Sequence, residues 1–196
     1  MQIIIPMSGF GKRFKDYGYK SPKFLIDVNG KPIISYVIDM FPKEKDFLFI
    51  CNKDHLRNKN FHVERVIKQF CPSGKIVGIK PHNFGPVHTI LQAEKEIKRG
   101  TPTIVNYCDF TCYWNWRDFK KFVLSNDCEG AIPAYKGFHP HSLGTNYYSY
   151  LKENRKKVLD IREKSCFTKN RIEEYTSSGT YYFSNSNEMI EAFKKQ

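Results

Sequence analysis

Short apolar runs alternate with amphipathic stretches along most of the chain. Ile3-Ile4-Ile5, inside Gln2–Met7, is an unbroken apolar run of the kind a strand buried on both faces of a parallel sheet requires. Phe47–Cys51, Lys75–Lys80, Thr103–Tyr107 and Gly130–Tyr135 read as further strands. Between them, helices are predicted from Pro32 to about Met40, and over Phe61–Phe70, Pro86–Arg99 and Trp114–Leu124. Proline at a first helical position is tolerated there best, and Gly100 marks a stop. Trp116, Phe119, Lys120 and Val123 recur at helical spacing. Ser8–Pro22 is polar and broken by Gly9, Gly11 and Gly18, which reads as a loop.

Strand and helix in turn imply an α/β fold: a three-layer, Rossmann-like, mostly parallel sheet with helices on both faces. The pattern then changes. Tyr147–Leu151 and Val158–Ile161 flank Glu153-Asn154-Arg155-Lys156, which predicts a small β-hairpin region. Thr180–Phe183 reads as one more strand and Asn187–Lys195 as a closing helix. With no repeat, low-complexity tract or linker, residues 1–196 read as a single domain.

Composition narrows the class. The chain of 196 residues is 40% hydrophobic and 15% aromatic, as a folded globule is. It is long enough to bury about 70% of its unfolded surface without a disulfide or metal staple. The six cysteines lack CxxC spacing, and Cys108 and Cys112 have no histidine partner at zinc-finger spacing, so reduced thiols are expected. The opening apolar run is too short for a signal-peptide core, and no stretch reaches the ~18–20 apolar residues of a membrane span. A cytoplasmic location without membrane contact is the expectation. The net charge of +12 concentrates anions of some kind near the surface. Motifs must say which.

Ser8-Gly9-Phe10-Gly11-Lys12-Arg13-Phe14 follows the first strand directly. In a parallel α/β sheet, ligands bind beyond the carboxyl ends of strands. Gly9 and Gly11 would let backbone N–H groups approach a polyphosphate, with Ser8 and Lys12 beside them, while Arg13 supplies a fork suited to paired phosphate oxygens. A Rossmann fingerprint would want glycine where Phe14 stands, and a Walker loop would want Gly-Lys-Ser/Thr. Alone, the motif can equally be a turn. Ser21-Pro22-Lys23-Phe24-Leu25-Ile26-Asp27 follows, with Pro22 stiffening the approach to Lys23 and a strand or strand end after it. A lysine fixed beside a phosphate loop can neutralise charge developing on a transferring phosphoryl group. Asp109 follows the fourth strand, where a carboxylate can hold Mg²⁺ together with phosphate oxygens and water, or else cap the next helix.

GxGxRF followed by PKxLIxVxGKPII resembles the signature of the sugar-nucleotidyltransferase superfamily, the pyrophosphorylases that make nucleotide sugars and CDP-alcohols. The similarity extends through Gly85-Pro86, Tyr107-Cys108-Asp109, Glu163-Lys164 and Ser177-Ser178-Gly179-Thr180-Tyr181-Tyr182-Phe183, covering most of the chain. It implies transfer of a nucleotidyl group from a nucleoside triphosphate to a small phosphorylated acceptor, with release of pyrophosphate. Arg13 and Lys23 would be catalytic, and Ser8, Gly9, Gly11, Lys12 and Gly85 would bind nucleotide. Asp109 would hold Mg²⁺, and Glu163 and Lys164 the acceptor. The commonest acceptor in the superfamily is a sugar 1-phosphate, for surface polysaccharide precursors; phosphocholine or a phospho-amino acid is the alternative. CTP is the first choice of nucleotide.

Two features depart from that pattern. The second acidic metal ligand expected late in such a chain has no counterpart before Gln196, and the chain stops soon after Phe183, as a short or C-terminally truncated member would. Two rival readings stay beside it. A nucleotide-binding module without catalysis would carry the same loop. The basic, aromatic-rich composition could serve single-stranded nucleic acid, but the lysines are dispersed and gather on no periodic face, so nucleic acid is not the expected partner. Oligomeric state is not legible. His139-Pro140-His141 reads as polar loop, and Lys152, Arg155, Lys156 and Lys157 as a solvated hairpin tip.

Overall fold

Strand β1 (Gln2–Met7) is buried at every position, as its run of isoleucines requires. The computed structural model describes residues 1–139, 144 and 148–196; Pro140, His141 and Tyr147, named above, lie outside them. A short helix α1 (Lys12–Asp16) and a 3₁₀ turn over Lys23–Leu25 precede the ribbon β2 (Asp27–Val28) and β3 (Lys31–Pro32). Then come α2 (Ile33–Asp39), β4 (Phe47–Asn52), α3 (Lys53–Arg57), α4 (Val63–Phe70), β5 (Lys75–Ile79), α5 (Gly85–Gln92), β6 (Thr103–Asn106), α6 (Trp116–Ser125) and β7 (Gly130–Ala131). The smaller elements β8 (Ala134–Tyr135), β9 (Ser149–Asn154), β10 (Lys157–Glu163) and β11 (Tyr175–Ser177) follow, before β12 (Thr180–Phe183) and α7 (Ser186–Lys194).

These elements form two compact units, Met1–Ala131 with Tyr181–Gln196, and Ile132–Thr180. In the larger unit the sheet order is β5-β4-β1-β6-β12-β7. Strands β5, β4, β1 and β6 pair in parallel, whereas β12 and β7 pair antiparallel. Successive side chains point to opposite faces. Thus Ile3, Ile5, Phe47, Phe49 and Ile104 join one core with Val37 of α2, Ile67 of α4 and Val123 of α6. Ile4, Leu48, Ile50 and Val105 join a second core with Ile90 of α5 and Ile190 of α7. The expected three layers follow from that alternation.

The smaller unit is a four-stranded sheet, β10-β9-β11-β8. Its β9–β10 hairpin turns through Arg155 and Lys156, both with positive φ (50° and 66°), which matches the right-handed twist of the flanking strands. Glu174 closes the loop after β10 by accepting from the backbone N–H groups of Phe167 (2.8 Å) and Thr168 (2.6 Å).

Local readings shift in several places. The segment expected to be loop contains α1, because Gly11 takes a left-handed conformation (φ 64°) and lets the next residues wind into a turn. Lys23 opens a 3₁₀ turn, and the strand expected after it is the two-residue β2. Pro32 sits in β3, one residue ahead of α2. Helix α3 was not foreseen; Asn52 starts it by accepting from the Asp54 N–H (2.8 Å). Helix α5 ends at Gln92, after which the chain tightens into a 3₁₀ turn over Glu94–Glu96. Gly130–Tyr135 divides into β7 and β8, which belong to different sheets. Pro133 between them has no N–H to give a ladder, and its carbonyl accepts from Ser178 N–H (3.0 Å). The short strand β11 was also not foreseen. Among the described residues, no helix is long and apolar enough to cross a membrane, and all six cysteines are free thiols.

Candidate active site

Because β1 and β6 are parallel neighbours, Ser8 and Asp109, which follow their last residues, emerge at the same edge of the sheet. At that edge the Ser8 hydroxyl turns inward. It lies 2.6 Å from Thr89 Oγ1, and Thr89 in turn donates to the Gly85 carbonyl at 3.1 Å. His82 Nε2 lies 3.1 Å from Thr89 Oγ1 and 3.4 Å from Ser8 Oγ. Asn52 Nδ2 donates to the Ser8 carbonyl at 3.4 Å. The loop after β1 is therefore tied to the turn that opens α5. Past Ser8 the chain is bare: a Cβ at Gly9 or Gly11 would meet no atom within 4 Å, so the loop presents backbone to the outside. Lys12 and Arg13 follow as the first two residues of α1.

Lys23 is placed by its neighbour. Pro22 is extended (φ −54°, ψ 143°), and Phe24 is buried in the first core, which directs the preceding lysine outward toward the sheet edge. Its Nζ lies 2.9 Å from Asp109 Oδ2, with the two side chains 27% and 28% exposed. Burial works against the Lys23 charge, but Cys108 and Asp109 more than offset it, so the ammonium is held above its usual value. The Arg13 guanidinium is near enough to push the other way. Burial drives the Cys108 thiol up to about 12, against the opposing pull of Lys23. The loop that carries Asp109 is tied to Asn106, fully buried at the end of β6, whose Nδ2 donates to the Tyr107 carbonyl at 2.8 Å.

The capping alternative for Asp109 falls away. Helix α6 starts at Trp116 and is capped by Asn115, which accepts from Asp118 N–H at 3.1 Å. Among the described residues no group of three or more histidine, cysteine, aspartate or glutamate side chains could hold a metal ion. That fits a magnesium ion only in the form that takes one or two carboxylates and completes its shell with phosphate oxygens and water. Asp109 suits that arrangement.

Glu163 and Lys164 belong to the smaller unit, at the end of β10. Their side chains lie 3.7 Å apart and are mostly exposed. Glu163 also accepts from the Ser149 hydroxyl. Lys164 has positive φ (55°), and its N–H donates to the Tyr148 carbonyl at 3.0 Å. In the larger unit, a separate hollow of about 370 Å³ is lined by Leu25, Pro32, Phe61, Val66 and Phe70 among others. Neither Lys23 nor Asp109 lines it.

Sequence reasoning missed His82, Thr89, Asn52 and Asn106. The polar residues Asn52 and Asn106 each end an apolar strand, a signal that was present. His82 carried none beyond its place in a turn.

No family model matches the chain. Solved structures do. A nucleoside-diphosphate-sugar pyrophosphorylase from Vibrio cholerae superposes with a TM-score of 0.73 at 20% identity, over 99% of this chain and 78% of that one. A UDP-glucose pyrophosphorylase complexed with UDP-glucose gives 0.73 at 16% identity, over 100% and 79%. An inositol-1-phosphate CTP transferase from T. maritima gives 0.72 at 16%, over 93% and 70%. The chain has the fold of these nucleotidyltransferases, as its motifs had indicated.

Proposed function

We propose that the chain is a nucleotidyltransferase, which moves an NMP group from a nucleoside triphosphate to a phosphorylated acceptor and releases pyrophosphate. The observation that carries this reading is the Lys23–Asp109 contact of 2.9 Å beside a glycine-rich loop, with the Arg13 charge felt at Lys23. Cations and one carboxylate at the carboxyl edge of a parallel sheet suit a triphosphate and a divalent ion. The fold shared with two pyrophosphorylases and a CTP transferase supports the same reaction type.

In this reaction an acceptor phosphate oxygen attacks the α-phosphorus in line. The new P–O bond forms as the bond to the β-phosphate bridging oxygen breaks, and that oxygen leaves with the pyrophosphate. A phosphate monoester has its second pKa near 6, so the nucleophile is already mostly a dianion at neutral pH and no general base is needed. The barrier comes from repulsion between anions and from alignment, and holding both substrates in place supplies about 7–11 kcal/mol. The Gly9–Gly11 backbone, Lys12 and Arg13 hold the β- and γ-phosphates, and Lys23 offsets charge at the α-phosphate. Mg²⁺ bound at Asp109 supplies further neutralisation of the triphosphate. Lys164 and Glu163 engage the acceptor phosphate and its hydroxyl groups.

The acceptor is a sugar 1-phosphate, used for polysaccharide precursors, or a phosphorylated alcohol, and CTP is the first nucleotide to test. The CTP transferase among the similar structures supports that order. A pyrophosphate-release screen of the common nucleoside triphosphates against sugar 1-phosphates, phosphocholine and phospho-amino acids tests the proposal. Release with at least one pair is expected. Magnesium-dependent nucleotide binding without release from any pair would leave a binding module in its place.

A further inference from the structure

Strand β10 is the outermost member of the smaller sheet, in the order β10-β9-β11-β8. All seven of its residues are exposed. Val158, Leu159 and Ile161 leave 49%, 59% and 44% of their surface open, and apolar side chains on an open edge invite a partner strand. The backbone is open there too. Lys164 N–H donates to the Tyr148 carbonyl, and Glu163, Arg162, Ile161 and Asp160 stand opposite Ser149, Tyr150, Leu151 and Lys152. Bonded and unbonded positions alternate in an antiparallel pair. Lys164, Arg162 and Asp160 therefore turn their N–H and C=O groups toward β9, whereas Glu163 and Ile161 turn theirs outward. Among the described residues no strand pairs with that outer side. Natural edges are guarded by a proline, an inward charge or a bulge. Here the ladder is irregular between Val158 and Asp160, but from Asp160 to Glu163 it is regular and holds no proline.

We propose that this edge pairs with the same edge of a second copy of the chain, antiparallel about a twofold axis at Ile161. The side chains fit that arrangement by charge. In such a contact, wherever residue i meets j, j also meets i. With Ile161 opposite Ile161 of the partner subunit, Asp160 stands opposite Arg162 of the partner subunit, and Arg162 opposite Asp160 of the partner subunit. Both charge pairs fall at non-hydrogen-bonded positions, where facing side chains come closest. Within one copy Asp160 and Arg162 make only a loose contact of 3.5 Å, with both side chains half exposed. Moving the axis by one residue would set Asp160 against Asp160 or Arg162 against Arg162, and like charges directly opposite destabilise a pair. The two Ile161 backbones exchange N–H···O=C bonds, and their side chains cover each other on the face shared with Leu151. Strand addition of this kind takes its affinity from the main chain and its register from the side chains. The ladder is short, so association is modest and concentration-dependent. This goes beyond the nucleotidyltransferase reading and stands or falls apart from it.

Sedimentation velocity on the full chain over a concentration series tests it, in about 0.15 M salt, which screens the repulsion between chains of net charge +12. Wild type is expected to show a monomer–dimer equilibrium. Asp160→Arg sets like charges opposite one another at both pairs and is expected to weaken dimerisation about tenfold, as is Arg162→Asp. Asp160→Arg combined with Arg162→Asp restores opposite signs, and should return affinity to within about threefold of wild type, which a fold defect would not do. Ile161→Pro removes only an outward N–H, a change an edge strand tolerates, and should give a monomer that melts like wild type. If that variant unfolds, the charge swaps decide. A wild-type chain that stays monomeric up to about 1 mM overturns the proposal. So does a dimer indifferent to Ile161→Pro and to both single swaps, which would lie on another surface. Weakening by the single swaps without rescue by the double overturns it as well. A monomer that co-sediments with phosphatidylglycerol vesicles through the basic tip at Arg155 and Lys156 would give the patch to a lipid surface instead.

Discussion

Lys23 lies 2.9 Å from Asp109, and each answers for the other's charge. Lys23→Ala is expected to lower turnover about 100-fold, the loss of one well-placed donor worth ~3 kcal/mol. Steady-state pyrophosphate release measures it, and a loss below about fivefold would remove Lys23 from the mechanism. Asp109→Asn has a two-sided outcome. In chelator, the uncharged amide should tighten nucleotide binding about fivefold, because Lys23 is released and one anion is removed; a partly exposed pair is worth only ~1 kcal/mol. In Mg²⁺ that advantage should vanish and turnover should fall. Titration calorimetry in the two buffers decides it, and equal affinities in chelator would show that the pair does not restrain Lys23. The sequence marked both residues as candidates. The resemblance implied that they serve one triphosphate, but spacing alone gave no sign of a direct contact, because a pairing between segments so far apart depends on which strands become neighbours.

At the scale of elements, the 3₁₀ turn that aims Lys23 leans on α3 through Phe24 and His55, whose ring centroids are 6.1 Å apart. His55 is buried, and among the described residues its Nδ1 has no hydrogen-bond partner. Burial and then the charge of Lys15 hold its pKa below the ordinary 6.5. Between those two values the unfolded chain binds more protons than the folded one. Stability is therefore full above about pH 6.5 and declines as pH falls through the folded-state value. Thermal midpoints at about pH 7.5 and pH 5.5 should show this drop, and His55→Leu should shrink it. An unchanged drop in the variant would assign the acid sensitivity elsewhere. Most strands were legible as apolar runs because burial on both faces leaves only one kind of sequence. The boundary at Pro133 was not. Apolarity continues across it, and only the missing N–H divides β7 from β8.

For the whole molecule, the larger unit is closed by its last segment. Helix α7 places Met189 and Ile190 in the second core, against Ile90 and Ile4 from the other end of the chain. Ile190→Ala should therefore destabilise this unit by about 2–5 kcal/mol, the range for a buried aliphatic truncated to alanine. Chemical denaturation followed by tryptophan fluorescence reads it, since Trp114 and Trp116 pack in the same unit. A loss under about 1 kcal/mol would show α7 to be peripheral. The three layers were set by the sequence alone: β-branched runs at strand length, separated by amphipathic helices, have few other ways to hide their apolar faces. The glycine loop was equally local, since its chemistry lies in consecutive residues. Tertiary structure decided the rest. Parallel neighbours β1 and β6 bring their loops to one edge, Asp109 finds Lys23 there, and Thr89 and His82 fasten the glycine loop to the turn that opens α5. Such contacts are set by strand order and helix packing, which no local run of residues specifies.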